Sequence, residues 1–188
     1  MLRSHEREKL INIAIYFANN TLYCGKIKLI KLLYLLDFEH FRQTGRSVTG
    51  LEYRAWKLGP VPPLFFAEWE KLGEDFAEAI EIVPEKVIDY LRHSVRPKRA
   101  FDDSHFSRRE LAIMQRLVGR FRDEMSEPMI NFTHAERGPW AKIWDSGRGD
   151  QERIPYALAV ADDAPNADAV LDAADEYESI VSAVGKAH

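Results

Sequence analysis

Three titratable side chains of this sequence have residue types that could support catalysis or metal binding: Asp37, His40 and His134. Asp37 and His40 lie three residues apart, so on a helix they could act as two metal ligands or as an acid–base pair. The sequence has no His-Glu-x-x-His motif, no cysteine pair and no calcium-binding loop, which predicts no metal site and no cofactor. A hydrolase or metalloenzyme that uses these three residues is therefore an alternative and not the leading interpretation.

Nucleophilic catalysis and phosphate binding receive no support from the other residues. The single cysteine, Cys24, has no nucleophile motif around it, and there is no Gly-x-Ser-x-Gly elbow. Gly45, Gly50 and Gly59 are too widely spaced for a nucleotide-binding loop. The sequence accordingly predicts a protein that is not an enzyme.

The element that must position Asp37 and His40 is a helix predicted from about Gly25 to Thr44, where Gly45 suits a helix end. At about 100° per residue its apolar side chains cover most of the surface, so we expect a central helix. A narrow solvent stripe is predicted to contain Lys28, Lys31, Glu39 and Arg42. Asp37 points away from that stripe, where an unpaired carboxylate would be costly. We therefore hypothesise a buried polar cluster of Asp37, His40 and His134.

Apolar periodicity predicts several other helices. The clearest follows Ser107, because Ser107 and Glu110 have the spacing of a capping box, and it continues to about Met125. Further helices are predicted over about 4–19 with Ser4 as N-cap, over about 127–133, from Pro139 onward, and in a C-terminal segment that ends at Gly185.

Extended structure is predicted in one region and left open in another. Alternating side chains over 49–58 indicate a strand or extended arm, followed by a turn at Gly59-Pro60. A helix is expected from Pro62-Pro63 to Gly73, whereas residues 76–99 fit a strand or a helical turn. The predicted fold class is α+β and predominantly α-helical, a single domain with a central apolar helix and a small β-sheet or hairpin.

Composition and charge limit the expected setting and partners. One cysteine suits a reducing compartment, no basic-then-apolar leader is present, and no apolar stretch is long enough to span a bilayer, so we expect a cytoplasmic protein without membrane contact. Residues 1–149 contain 24 Lys+Arg against 21 Asp+Glu, while residues 150–188 contain 2 against 9. Because an acidic tail disfavours phosphate contacts, nucleic acid is not the expected partner.

One basic segment nevertheless allows three interpretations. It contains Arg92, His93, Arg96, Lys98, Arg99, Arg108 and Arg109. These side chains could form a solvated surface, contact an acidic partner or nucleic acid, or meet the acidic tail of the same chain.

Three stretches of the sequence, in their order and spacing, resemble the Panacea antitoxin domain of SocA-like and phage-associated GepA-like proteins. The resemblance covers about residues 8–160. The family-motif residues are Lys28, Lys31, Tyr34, His40, Gly45 and Arg46, then Trp56, Gly59, Pro60 and Val61, then Thr133, His134, Glu136, Pro139 and Trp140. The chain departs from the family over 136–140, because the more usual form has Pro-Trp closer to the acidic residue.

The resemblance implies a bacterial antitoxin that binds and neutralises a cognate toxin encoded nearby by direct protein contact. It implies that the motif residues are structural or partner-binding. A second role in the family is that of a proteolytic adaptor, which delivers the toxin to a ClpX-type unfoldase and protease. We expect a Panacea-like domain over 1–160 and an acidic C-terminal helix over 161–188 packed on it. The sequence identifies neither the toxin nor the oligomeric state.

Overall fold

The computed structural model describes residues 2–87, 90–134 and 138–185. Within these ranges the chain forms eight α-helices and two two-stranded antiparallel sheets, which confirms the predicted, predominantly helical α+β class. The elements are α1 (Leu2–Asn20), α2 (Lys26–Thr44), β1 (Arg54–Trp56), β2 (Gly59–Val61), α3 (Pro63–Glu68), α4 (Glu74–Ala79), β3 (Ile80–Val87), β4 (Tyr90–Pro97), α5 (Arg108–Phe121), α6 (Ser126–Thr133), α7 (Pro139–Trp144) and α8 (Ala167–Gly185).

Helix α2 is central, as its apolar surface predicts. It contacts α1, α5, α6, α8 and strand β2. It ends where expected, because Gly45 adopts a φ of 72° and its N–H donates to the carbonyl of Phe41. A Cβ on Gly45 would lie only 2.5 Å from the carbonyl oxygen of Val170 in α8, so the end of α2 packs directly on the C-terminal helix.

Three groups of apolar side chains surround α2. The largest joins α2 to α1, α4 and α5 through residues such as Phe17, Leu32 and Phe76. A second lies beneath the β1–β2 hairpin and contains Tyr34, Phe38, Tyr53, Ala55, Trp140 and Ile154. A third joins α2 to α8 through Phe41, Val160, Val170 and Ala174.

The two hairpins differ in detail from the sequence prediction. The β1–β2 turn falls at residues 57 and 58, whereas Gly59 and Pro60 belong to β2, because Gly59 pairs with Trp56 at a φ of 101°. The open region 76–99 is mostly extended. Strands β3 and β4 place Glu85 opposite Arg92, and that pair stabilises the antiparallel register.

The helix boundaries also depart from prediction in three places. Helix α1 begins at Leu2 and not at Ser4. Helix α3 ends at Glu68, before the predicted Gly73, and Gly73 instead precedes α4. The capping box of α5 is confirmed, since the Ser107 hydroxyl accepts from the Glu110 N–H and the Glu110 carboxylate accepts from the Ser107 N–H. That helix ends at Phe121, short of the expected Met125.

Among the described residues, no helix is both long enough and apolar enough to cross a membrane.

Candidate functional site

Two lysines of α2 lie inside the protein, although the helical wheel placed both on the solvent stripe. Lys28 is 0 % exposed and Lys31 is 1 % exposed. The Lys28 ammonium donates to three backbone carbonyls, those of Leu22 (2.7 Å), Arg122 (3.0 Å) and Glu124 (2.6 Å). The prediction was wrong because a lysine can bury its aliphatic stem when backbone carbonyls inside the protein accept hydrogen bonds from its ammonium.

Asp37 is fully buried and accepts four hydrogen bonds from the segment that follows α2. The donors are the N–H of Val48 (2.8 Å), the N–H and hydroxyl of Thr49 (2.9 and 2.5 Å) and the hydroxyl of Tyr53 (2.8 Å). Burial raises the pKa of Asp37, and the four donors oppose that rise by stabilising the carboxylate. Asp37 thus fastens the chain between α2 and β1 to the helix.

His40 contacts a different part of the same segment. Its Nδ1 donates to the carbonyl oxygen of Arg46 at 2.7 Å and lies 3.3 Å from the hydroxyl of Thr44. The Arg46 guanidinium in turn lies over the ring of Tyr177 in α8, 4.6 Å from its centre. His40 and Arg46 therefore hold the segment that follows α2 in place, at the point where the C-terminal helix packs on it.

His134, at the end of α6, stacks on Trp140 of α7. The two ring centres are 3.7 Å apart and the planes differ by 5°. Trp140 also donates from Nε1 to the carbonyl oxygen of Trp56 in β1 at 3.0 Å. The third family-motif stretch is thereby joined to the second.

Lys31 joins these stretches to the first one. Its ammonium donates to the carbonyl oxygen of Pro60 at 3.1 Å. A Cβ on Gly59 would lie 2.5 Å from Lys31 Nζ, 3.0 Å from His134 Nε2 and 3.2 Å from Thr133 Oγ1. The φ of 101° at Gly59 would strain any other residue, and the three side chains crowd its Cα, so all three motif stretches meet at Gly59. We call this group, Lys31, Gly59, Thr133 and His134, the Gly59 junction.

Burial favours the uncharged forms of the two ionisable side chains in the Gly59 junction. Burial lowers the pKa of Lys31 to about 7. Burial and then the nearby charge of Lys31 lower the pKa of His134, while a hydrogen bond to the backbone of Leu58 acts in the opposite direction. Among the residues that the structure describes, the buried Nε2 of His134 has no hydrogen-bond partner, so the junction has unused hydrogen-bonding capacity.

The structure therefore divides the hypothesised cluster of Asp37, His40 and His134 among three sets of contacts. Asp37 binds Val48, Thr49 and Tyr53, His40 binds Arg46, and His134 belongs to the Gly59 junction. Across residues 2–87, 90–134 and 138–185, no group of three or more His, Cys, Asp or Glu side chains could hold a metal ion. A catalytic group must reach its substrate, and the burial of Asp37 leaves it no surface with which to do so.

The remaining motif residues are placed by the same elements. Val61 is buried in β2, and Pro139 is the first residue of α7, where its missing N–H costs no helical hydrogen bond. Glu136 lies outside the described residues. The partners of Asp37 were missed, although Thr49 and Tyr53 were visible in the sequence as a hydroxyl pair beyond the helix end.

The basic segment is engaged by acidic side chains of the chain itself. Arg92 pairs with Glu85 at 2.7 Å, Arg96 pairs with Glu81 at 3.5 Å, and Arg99 pairs with Glu8 at 3.2 Å. These partners lie in β3 and α1. The ion pairs therefore favour the interpretation of this segment as a solvated surface.

Comparison with known proteins gives one match. A family model described as antitoxin SocA-like, Panacea domain, matches residues 29–141. The matched part begins within α2, ends within α7 and includes every motif position except Lys28, together with Asp37 and its donors. No curated protein and no solved structure matches the chain.

Proposed function

The chain belongs to the family of SocA-like antitoxins with a Panacea domain, and from this membership we propose that it binds a cognate bacterial toxin and neutralises it by direct protein contact. The observation that carries the proposal is the family match over more than half of the chain. We also propose that it acts in the cytoplasm, without catalysis, on a toxin encoded nearby.

The positions of the motif residues support binding by the surface of the domain. Asp37, Lys28 and Lys31 are buried and form hydrogen bonds with backbone and hydroxyl groups inside the protein. Such contacts stabilise the scaffold and leave the toxin to be recognised by side chains outside the motifs. A binding domain needs this division, because its interior must stay constant while its surface suits one partner.

Co-expression with the product of the adjacent gene tests the proposal. We expect that product to stop growth when expressed alone, and growth to return when the full chain is co-expressed. The two proteins should then purify together as a stable complex at ordinary salt. If the neighbour is harmless and forms no complex, the proposal is wrong.

The same experiment separates occlusion from delivery. A host that lacks its ClpX-type unfoldase serves as the control. Rescue that is equal in both hosts, with a constant toxin level, supports neutralisation by contact. Rescue that disappears in the deletion host, together with restored toxin levels, would replace our proposal with the proteolytic-adaptor role.

A further inference from the structure

An open apolar groove of about 410 Å³ lies between α2, α5 and α6. Its apolar floor is formed by Leu35, Ile113, Leu117, Phe121 and Phe132. Phe132 is 37 % exposed, and its ring packs edge-on against Phe121 with ring centres 5.2 Å apart. A partly exposed aromatic ring in a concave apolar surface is a typical anchor point for a protein partner.

The rim of this groove is cationic. Arg116 and Arg120 line it and are exposed, and the Arg120 guanidinium lies 4.1 Å from the centre of the Phe132 ring. Glu39 is the one acidic residue among those that line the groove, and Arg116 already pairs with it at 3.2 Å. The only carboxylate within α5, that of Glu110, is buried and pairs with Lys9 at 2.6 Å. The exposed side of α5 is therefore positive.

We propose that this groove is the docking site for an acidic, amphipathic segment of the toxin, an inference that rests on the proposed antitoxin function. Apolar side chains spaced along one face of such a segment fill the floor between α5 and α6. Carboxylates beside them pair with Arg116 and Arg120, whose planar guanidinium groups suit bidentate contacts.

The acidic C-terminal helix of this chain is not the occupant. Helix α8 is held on another part of α2 through Phe41, Val170 and Ala174, and its backbone touches Gly45. A second copy could offer its own α8 to the groove, but that contact would make the chain associate with itself, in a closed ring or an open chain of molecules. A separate acidic partner fits the charge of the groove without that consequence.

A matched pair of charge reversals tests the groove in the full chain. The test variant is Arg116→Glu with Arg120→Glu. The control is Arg108→Glu with Arg122→Glu, which makes the same change of charge on exposed residues outside the groove. We expect toxin affinity to fall at least about 10-fold in the test variant and to stay within about 3-fold in the control. Circular dichroism and thermal unfolding verify that both variants fold.

A synthetic peptide keeps the inference testable apart from the toxin. The probe is a helical peptide with leucines at i, i+3, i+4 and i+7 and flanking glutamates, and its control carries lysines in place of the glutamates. Fluorescence anisotropy should show binding of the acidic peptide only, with loss in the Arg116/Arg120 variant. Equal binding of both peptides, or equal binding by both variants, would overturn the inference.

The two arms distinguish the failures. If the toxin binds the wild-type chain and both variants equally, the groove is not the docking site, although the antitoxin function stands. If the toxin binds none of the three while the acidic peptide still shows the expected pattern, the antitoxin function fails and the groove remains an acidic-helix site. If the wild-type chain is a dimer or larger assembly in light scattering and the Arg116/Arg120 variant is monomeric, the occupant is a second copy and our inference is wrong.

Discussion

Asp37 and Lys31 lie within two turns of one helix, and both are buried ionisable residues, yet their surroundings differ. Asp37 accepts four hydrogen bonds from Val48, Thr49 and Tyr53. Within the described part of the chain, the Lys31 ammonium donates to one carbonyl, that of Pro60, beside a His134 nitrogen that has no partner there. One site is saturated with partners and the other is not.

This difference separates two ways of keeping an ionisable group inside a protein. Asp37 is kept by partners that come from the same loop, so its cost of burial is offset by ordering that loop. Burial lowers the pKa of Lys31 to about 7, so near neutral pH the amine can lose its proton and stay buried without a charge. The first arrangement should matter far more to stability than the second.

The contrast between Asp37 and Lys31 would be wrong if removal of the Asp37 carboxylate did not lower the free energy of unfolding. Asp37→Ala leaves two N–H groups and two hydroxyls buried without an acceptor, so we expect a loss of about 3 to 5 kcal/mol in the free energy of unfolding. Urea denaturation measures it, with Asp163→Ala on an exposed residue as the control. A loss below about 1 kcal/mol would mean that the loop finds other acceptors.

Lys28 sharpens the contrast, because it is a buried lysine with a full set of partners. Lys28→Met preserves the aliphatic stem and leaves the carbonyls of Leu22 and Glu124 without their ammonium donor, while the carbonyl of Arg122 keeps the Leu22 N–H, so we expect a loss of about 2 to 3 kcal/mol. Thermal and urea unfolding should agree. Equal stability of the variant and the wild type would show that the number of hydrogen bonds is not what distinguishes the sites.

Lys31→Met should stabilise the fold at pH 7, by about 1 to 3 kcal/mol, because methionine does not carry the cost of burying the lysine. The effect of Lys31 is best recognised from how the free energy of unfolding depends on pH. Because burial lowers the pKa of Lys31 from 10.5 to about 7, the unfolded chain binds more protons than the folded chain between these values. Wild-type stability should therefore rise with pH across that window relative to the variant, by up to about 1.4 kcal/mol per pH unit. Parallel pH profiles would show that the Lys31 amine is solvated.

His134→Phe should have the smallest effect of the four. The substitution preserves the ring stack on Trp140 and removes the buried nitrogen that has no partner, while the contact with Leu58 is lost. We expect a change within about 1 kcal/mol in either direction. His134→Ala, which removes the stack as well, is the control and should destabilise more than His134→Phe.

The features that could be predicted from the sequence depend on local signals. Gly45 ends α2 and the Ser107 capping box begins α5, because each signal acts within a few residues of the backbone that it terminates. The burial of Asp37 was also predictable, since its position among apolar neighbours follows from the helical period alone.

The features that could not be predicted depend on contacts distant in sequence. Residue type placed Lys28 at the surface, but three carbonyls accept its protons, and two of them come from residues just beyond α5. The Gly59 junction likewise needs three separate segments to meet, and no spacing in the sequence indicates that His134 faces Lys31 and not Asp37. Local patterns carry no information of this kind.

The close approach at Gly45 has a consequence for the divergence of related chains. A side chain there would collide with the backbone at Val170 and Ala174, which belong to a helix beyond the end of the family match at residue 141. The residue that ends α2 and the segment that packs on it must therefore change together. A relative that has lost the C-terminal helix avoids this collision and keeps only the preference for glycine that the φ of 72° imposes, whereas one that keeps the helix in this position is held to glycine by both.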